Sequence, residues 1–245
     1  MVKIALDTHM YHASMSVADQ LRKTADLGYE YVELSPRADW FFWHRYPKAD
    51  DALIAETKKA MAETGVKIHT LVPVYNWSSP DEQERRAHVR NWRRLLEIAA
   101  DLECPIVNSE LSGDPNRPGA SEHAFYASME ELIPDFERHG IGLNLEAHPY
   151  DFSETNDDAI QIIRGLNKPW VNYVFCAPHA FHLADGKGDV RRMRSRQTPQ
   201  RGFALAHRAN GIVSQPGGAH GRDVPGRYSV RARRSGCRRH AEASR

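Results

Sequence analysis

Apolar and polar residues follow two different periods along the first 190 residues. Short runs rich in Ile, Val, Leu and Tyr alternate with longer segments in which apolar residues recur every three or four positions. The runs have the length and composition of buried strands, and the segments have the spacing of amphipathic helices. The predicted strands are KIALD at 3–7, YVEL at 31–34, KIHTLVPVY at 67–75, CPIVNSEL at 104–111, IGLNLEAHP at 141–149 and VNYVFCAPH at 171–179.

Capping signals mark where the predicted helices begin and end. Ser16 and Thr155 are each followed three residues later by an acidic residue, which is the pattern of a helix N-terminus. The stretch SPDE at 79–82 predicts a helix capped by its serine, with the proline at the first helical position. Gly65 and Gly140 stand where two helices are expected to stop.

Six strands with five intervening helices predict an α/β fold with a parallel sheet. A doubly wound sheet fits this alternation, but DTHMYH at 7–12 stands where a dinucleotide-binding sheet would carry a glycine-rich phosphate turn. The pattern therefore favours a (β/α)8 TIM barrel. We expect this barrel to be incomplete, with about six βα units present and the last two missing. The first and sixth strands should then have unpaired edges.

Charge and composition change near residue 190, although the net charge of the whole chain is only +1. Residues 1–190 contain 19 Lys plus Arg against 30 Asp plus Glu, whereas residues 191–245 contain 14 Arg, no Lys and 2 acidic residues. Leu, Ile, Val and Phe make up 6 of those 55 residues, a proportion typical of disorder. We therefore predict a partial barrel over 1–190 and an Arg-rich tail over 191–245 that is disordered or results from a frameshift. A basic nucleic-acid-binding tail is the alternative.

Three observations bear on the cellular compartment. The chain has no apolar stretch long enough to cross a membrane, and MVKIALD lacks the layout of a secretory signal. Three cysteines are an odd number and argue against a disulfide framework. We therefore expect a soluble cytoplasmic protein with no membrane partner.

Titratable side chains follow the predicted strands at their carboxyl ends. In a barrel these ends meet at one mouth, where functional groups lie. Carboxylates and imidazoles that converge there have the composition of a divalent-metal site. The residues in question include His69, Glu110, Glu146, His148, Cys176 and His179.

The segment DLGYEYVEL at 26–34 resembles a signature of the xylose isomerase-like TIM barrels, and the resemblance covers residues 1 to about 190. This superfamily includes sugar phosphate isomerases, ketose epimerases and endonuclease IV. The resemblance implies that Glu146 in NLEAHP binds the metal and acts on the substrate carbon, and that His179 in CAPH contacts substrate. Cys176 stands where the family usually has an aspartate ligand. It therefore leaves the metal open among Mn, Mg, Co and Zn, unless the thiol is simply a small buried group.

The resemblance further implies a metal-dependent sugar or sugar-phosphate isomerase or epimerase that abstracts a proton next to a carbonyl, with activity reduced by the missing barrel end. We expect His148, Glu110, His69 and Trp40 to contact a carbohydrate substrate, although packing roles would also explain the last two. The alternatives are a non-catalytic remnant or binding protein with a basic tail, and an endonuclease IV-like enzyme. The acidic body disfavours a nucleic-acid partner. A homo-oligomer is compatible with the sequence.

Overall fold

The computed structural model describes residues 3–179 and the backbone of residues 203–206, all within the compact unit Met1–Ile212. The strands are β1 (Lys3–Asp7), β2 (Tyr31–Leu34), β3 (Lys67–Leu71), β4 (Ile106–Glu110), β5 (Gly142–Glu146), β6 (Val171–Tyr173) and β7 (Phe203–Ala206). The α-helices are α1 (Val17–Asp26), α2 (Asp51–Thr64), α3 (Glu82–Asp101), α4 (Pro118–His139) and α5 (Asn156–Leu166).

The strands form one parallel sheet in the order β6-β5-β4-β3-β2-β1-β7. The α/β class and the six predicted strands are confirmed. The last four of those strands end earlier than predicted. β6 ends at Tyr173, so Cys176 lies in the loop that follows it and His179 in a helical segment at 177–179. This shortening places both side chains beyond the sheet edge.

Strand β7 corrects one expectation from the sequence. The edge of β1 is paired, because Lys3 to Leu6 align in parallel with Phe203 to Ala206. In a closed eight-stranded barrel, the neighbour of the first strand on this side is the last strand. The averaged composition of the Arg-rich region hid this short apolar run, FALA. Residues 180–202 and 207–245 lie outside the described residues, and the tail prediction for them stays a prediction.

The helix ends show which capping signals operate. Ser16 and Thr155 cap α1 and α5 as predicted, because each side-chain oxygen accepts the backbone N–H three residues on. Gly65 ends α2 in the left-handed conformation, with φ of 72°. The prediction for α3 is wrong by two residues: its cap is Asp81, whose carboxylate accepts Glu84 N–H, and Ser79 lies before it. The carboxylate is the stronger acceptor of the two.

An aromatic cluster packs α3 and α4 against each other and against the loop after β3. The rings of Trp77 and Trp92 lie 4.5 Å apart, and Phe125 and Phe136 contact this pair from α4. All four side chains are buried, so the cluster supplies a large part of the apolar area removed from water on folding. None of the helices in the described part of the chain combines the length and apolar character needed to cross a membrane.

Candidate metal centre

A layer of polar side chains from four neighbouring strands lies below the sheet edge. Glu33 of β2 accepts hydrogen bonds from Thr70 of β3 at 2.9 Å and from the Asn108 amide of β4. Asn108 in turn accepts one from the Asn144 amide at 2.9 Å. Glu33 is only 1% exposed. Burial, with repulsion from Asp7, raises the pKa of Glu33 to about 8.

Glu146 lies at the carboxyl end of β5, directly above this layer. Its Oε2 is 3.7 Å from Nδ1 of His179, and its carboxyl group hydrogen-bonds the Cys176 thiol. Ligand atoms of these three residues all lie within 4.8 Å of one another. Oxygen and nitrogen ligands each sit about 2.0–2.2 Å from a bound zinc, so a separation of 3.7 Å lets one ion contact both. The three side chains therefore fit a divalent metal.

The surroundings of Glu146 favour the protonated form of its carboxyl group. Burial, together with the charges of Glu110 and Glu33, raises the pKa of Glu146 to about 8. Burial also raises the pKa of Cys176 to about 12, so the free thiol is protonated at neutral pH. A metal bound by Cys176 would have to displace that proton, which makes its affinity depend on pH. A carboxyl group with a pKa near neutrality can both accept and release a proton during catalysis.

A second group adjoins the first. Glu110 ends β4 in register with Glu146, and its Oε1 is 3.4 Å from Nε2 of His148. The His148 ring meets the His179 ring edge to face, with centroids 4.3 Å apart. The structure thus brings five of the residues predicted from the sequence into one continuous cluster: Glu110, Glu146, His148, Cys176 and His179.

His69 and Trp40 lie apart from this cluster. The centroids of the His69 and Tyr31 rings lie 6.0 Å apart. Burial together with the nearby Lys3 charge lowers the pKa of His69 to about 4. Lys3 and Tyr31 are the first residues of β1 and β2, so His69 is placed towards the opposite end of these strands from Glu146. Trp40 is 0% exposed and belongs to the hydrophobic core. Both placements fit packing roles.

Sequence reasoning missed Asp151, whose carboxylate lies with Glu110 and His148. The ligand atoms of these three residues also lie within 4.8 Å of one another. Burial, with repulsion from Glu110, raises the pKa of Asp151 to about 8. The signal was its position three residues after His148 in NLEAHPYDF. The loop after β5 turns back there, with Asp151 N–H donating to the His148 carbonyl.

Comparison with known proteins identifies the family to which this architecture belongs. The family model described as Xylose isomerase-like TIM barrel matches residues 21–225. The chain belongs to this family. The match extends beyond residue 190, where the resemblance seen in the sequence was expected to end, and it includes β7. A search of curated proteins gives no match to this chain.

Solved structures of this xylose isomerase-like fold resemble the chain at low sequence identity. A D-psicose 3-epimerase solved in the presence of D-fructose gives a TM-score of 0.68 at 17% identity, covering 83% of this chain and 72% of its own. An AP endonuclease, family 2, from Brucella melitensis gives 0.66 at 18% identity, covering 87% and 85%. A 3-keto-D-glucoside 4-epimerase from E. coli, in its apo form, gives 0.64 at 16% identity, covering 84% and 80%. At these identities the likeness concerns the fold.

Two other structures of this fold contain metals. A xylose isomerase-like TIM barrel protein from Mycobacterium smegmatis is in complex with magnesium, with a TM-score of 0.52 at 19% identity over 71% of this chain and 64% of its own. The IOLI protein has a bound zinc atom, with a TM-score of 0.57 at 16% identity over 77% and 66%. The fold therefore accommodates more than one kind of divalent ion.

Proposed function

We propose that this protein is a divalent-metal-dependent isomerase or epimerase of sugars or sugar phosphates that moves a proton on the carbon next to a carbonyl group. The observation that carries the proposal is the position of Glu146. It is a largely buried carboxyl group at the mouth of a xylose isomerase-like barrel, grouped with Cys176 and His179. The epimerases among the structural neighbours act on sugars, which supports a small carbohydrate as the substrate class.

Each side chain has a distinct task in the proposed reaction. Glu146 and Cys176 would hold the metal, and His179 would donate a hydrogen bond to a substrate oxygen. A bound divalent ion polarises a carbonyl and so acidifies the neighbouring C–H group. Glu146 takes up and returns the proton as the general base of the reaction. Glu110 and His148 face the same space and would orient the substrate hydroxyls.

We expect the proposed isomerisation or epimerisation to be slow. The family resemblance implies a further metal-binding histidine and an opposing glutamate on the last two strands, and neither has a recognisable counterpart in residues 191–245. Without such a pair, Glu146 would have no opposing base for the second proton transfer. The odd number of cysteines supports a cytoplasmic site of action.

Hydrogen exchange provides the direct test. The protein is incubated with Mn²⁺ and a panel of ketoses and ketose phosphates in D₂O, and deuterium incorporation next to the carbonyl is followed by NMR. We expect slow exchange above the enzyme-free background. Replacement Glu146→Gln should reduce it by about 100-fold or more, the typical contribution of a general base. The control Glu97→Gln alters an exposed carboxylate on α3 and should leave the rate unchanged. Equal rates in the Glu146→Gln and wild-type proteins would remove Glu146 from the mechanism.

Two alternatives have their own signatures. The structural likeness to an AP endonuclease favours incision of DNA at abasic sites, but the acidic charge of residues 1–190 repels a polyanion. Metal-dependent incision with no sugar exchange would support the endonuclease. A binding protein with a basic tail would show neither activity.

A further inference from the structure

The side chains of Glu110, His148 and Asp151 converge between two barrel loops. Glu110 is the last residue of β4, and the other two follow β5. Their ligand atoms lie within 4.8 Å of one another, with Nε2 of His148 3.4 Å from Oε1 of Glu110. None of these atoms belongs to the Glu146–Cys176–His179 group.

The backbone fixes which nitrogen of His148 faces the carboxylates. Nδ1 lies 2.7 Å from the Pro149 carbonyl oxygen, which can only accept a hydrogen bond, so Nδ1 carries the proton. In the neutral ring, Nε2 then presents its lone pair towards the Glu110 oxygen. At 3.4 Å from the Glu110 oxygen, Nε2 can either carry a second proton and donate it to Glu110 or offer its lone pair to a cation that both residues bind. Metal-binding histidines characteristically donate their other N–H to a backbone carbonyl in this way.

Hydrogen bonds hold Asp151 in a position from which it could also bind a cation. Its side chain is buried, and Oδ2 accepts the Ser112 N–H at 2.6 Å. The Phe152 N–H donates to the Ser112 carbonyl at 3.1 Å, which ties the loop after β5 to the loop after β4. Within the described part of the chain, Oγ of Ser112 is buried without a hydrogen-bond partner. A buried polar atom in that state needs a partner, and a ligand held by the neighbouring cluster would supply one.

The charges also require compensation. Glu110, Asp151 and Glu146 lie together at the mouth, and the ion pairs of Glu110 and Glu146 among the described residues are with imidazoles. Ionising three neighbouring carboxyl groups together in a largely buried site is costly, and a bound divalent ion removes that cost.

We propose that Glu110, His148 and Asp151 form a second divalent-cation site, next to the Glu146 site across the contact between His148 and His179. Two carboxylate oxygens and one imidazole nitrogen suit a harder ion than a site that contains a thiolate. When this ion is bound, it replaces the direct substrate contact proposed above for Glu110 and His148. The proposal is independent of the reaction that the protein catalyses.

Cobalt distinguishes the two sites. The full-length protein is dialysed to equilibrium against Co²⁺, the bound metal is counted, and the absorption spectrum is recorded. A Co²⁺ ion bound to Cys176 gives a sulfur-to-metal charge-transfer band, whereas an ion on Glu110, His148 and Asp151 does not. We expect two equivalents in the wild-type protein. Asp151→Asn, whose amide oxygen can still accept the Ser112 N–H, should bind one equivalent and keep the band.

Matched variants give the remaining outcomes. Cys176→Ser should lose the band and keep the second-site ion, and Asp101→Asn, on the exposed end of α3, should behave as wild type. Circular dichroism of each variant checks that it folds. A wild-type stoichiometry of one with the band, unchanged in Asp151→Asn, overturns the second site and leaves the Glu146 site intact. One equivalent that lacks the band and is lost in Asp151→Asn supports the second site and argues against metal binding by Glu146 and Cys176.

Discussion

At the scale of single residues, Glu33 shows how the interior of this barrel tolerates a carboxyl group. It is buried beneath the candidate metal centre and accepts hydrogen bonds from Thr70 and Asn108. These two donors favour the ionised form, but burial outweighs them, and the pKa rises to about 8. At neutral pH the group is therefore mostly protonated in the folded protein.

A consequence for stability follows from this pKa. In the unfolded chain Glu33 titrates near its ordinary value of 4.5, so between pH 4.5 and 8 only the folded state holds this proton. Stability from this group is complete below pH 4.5 and decreases as pH rises towards 8. A rise of one in pKa corresponds to about 1.4 kcal/mol. We expect Glu33→Gln to reduce the loss of unfolding free energy between pH 5 and 8 by roughly 2–4 kcal/mol.

Urea denaturation of the two proteins at pH 5 and pH 8 provides the measurement. Comparison with the wild type cancels the contributions of Glu146 and Asp151, which titrate in the same range. The exposed Glu97→Gln variant should follow the wild-type pH dependence. An identical pH dependence in the Glu33→Gln protein would show that Glu33 is ionised in the fold.

At the scale of elements, strand pairing and helix caps decide which residues meet. β4 and β5 pair in register from Ile106 with Gly142 to Glu110 with Glu146, so both strands end on a glutamate at the same height. A slip of one residue would turn these side chains to the other face of the sheet. The long helix α3, which precedes β4 in the chain, is fixed at its start by Asp81.

The Asp81 cap gives a prediction for α3. Asp81→Ala removes the acceptor for the Glu84 N–H and should destabilise the protein by about 1 kcal/mol. Asp81→Asn retains a side-chain oxygen and should change stability by only a few tenths of that amount. Chemical denaturation of both variants measures the difference. If Asp81→Ala proved as stable as the wild type, the hydroxyl of Ser79 would be the operative cap.

At the scale of the whole molecule, the open question is how the barrel is completed after β6. The pairing of β7 with β1 and the family match through residue 225 favour the chain as it is read here. The 14 arginines without a lysine in residues 191–245 favour a shift of reading frame near codon 190. The segment after residue 190 cannot be both native and the product of a shifted reading frame.

The nucleotide sequence separates these explanations. If the frame shifts, translation of one of the other frames downstream of codon 190 should show apolar strand runs about 30–35 residues apart, the spacing of barrel units. One run should end in a histidine and the next in a glutamate. Immediate stop codons in both other frames would refute the shift, and the Arg-rich segment would then be a genuine part of this protein.

The sequence by itself determined the six strands, most of the helix ends and the importance of NLEAHP, because periodicity, caps and polar residues at strand ends are local signals. It also placed Glu110, Glu146, His148 and His179 at one mouth, because parallel strands present their carboxyl ends on the same side. Local signals could not show whether His69 and Trp40 lie at the mouth or pack in the interior, because their burial depends on neighbours distant in the chain. They also could not find Asp151 or β7.

Tertiary structure alone decided those last cases. Asp151 joins Glu110 because the loop after β5 folds back onto Ser112, a contact between residues 39 positions apart. β7 exists as a strand because the open edge of β1 offers unpaired backbone groups to a run of four residues whose own pattern is too short to predict. In both cases the deciding energy comes from a partner that is remote in sequence, and no local pattern records it.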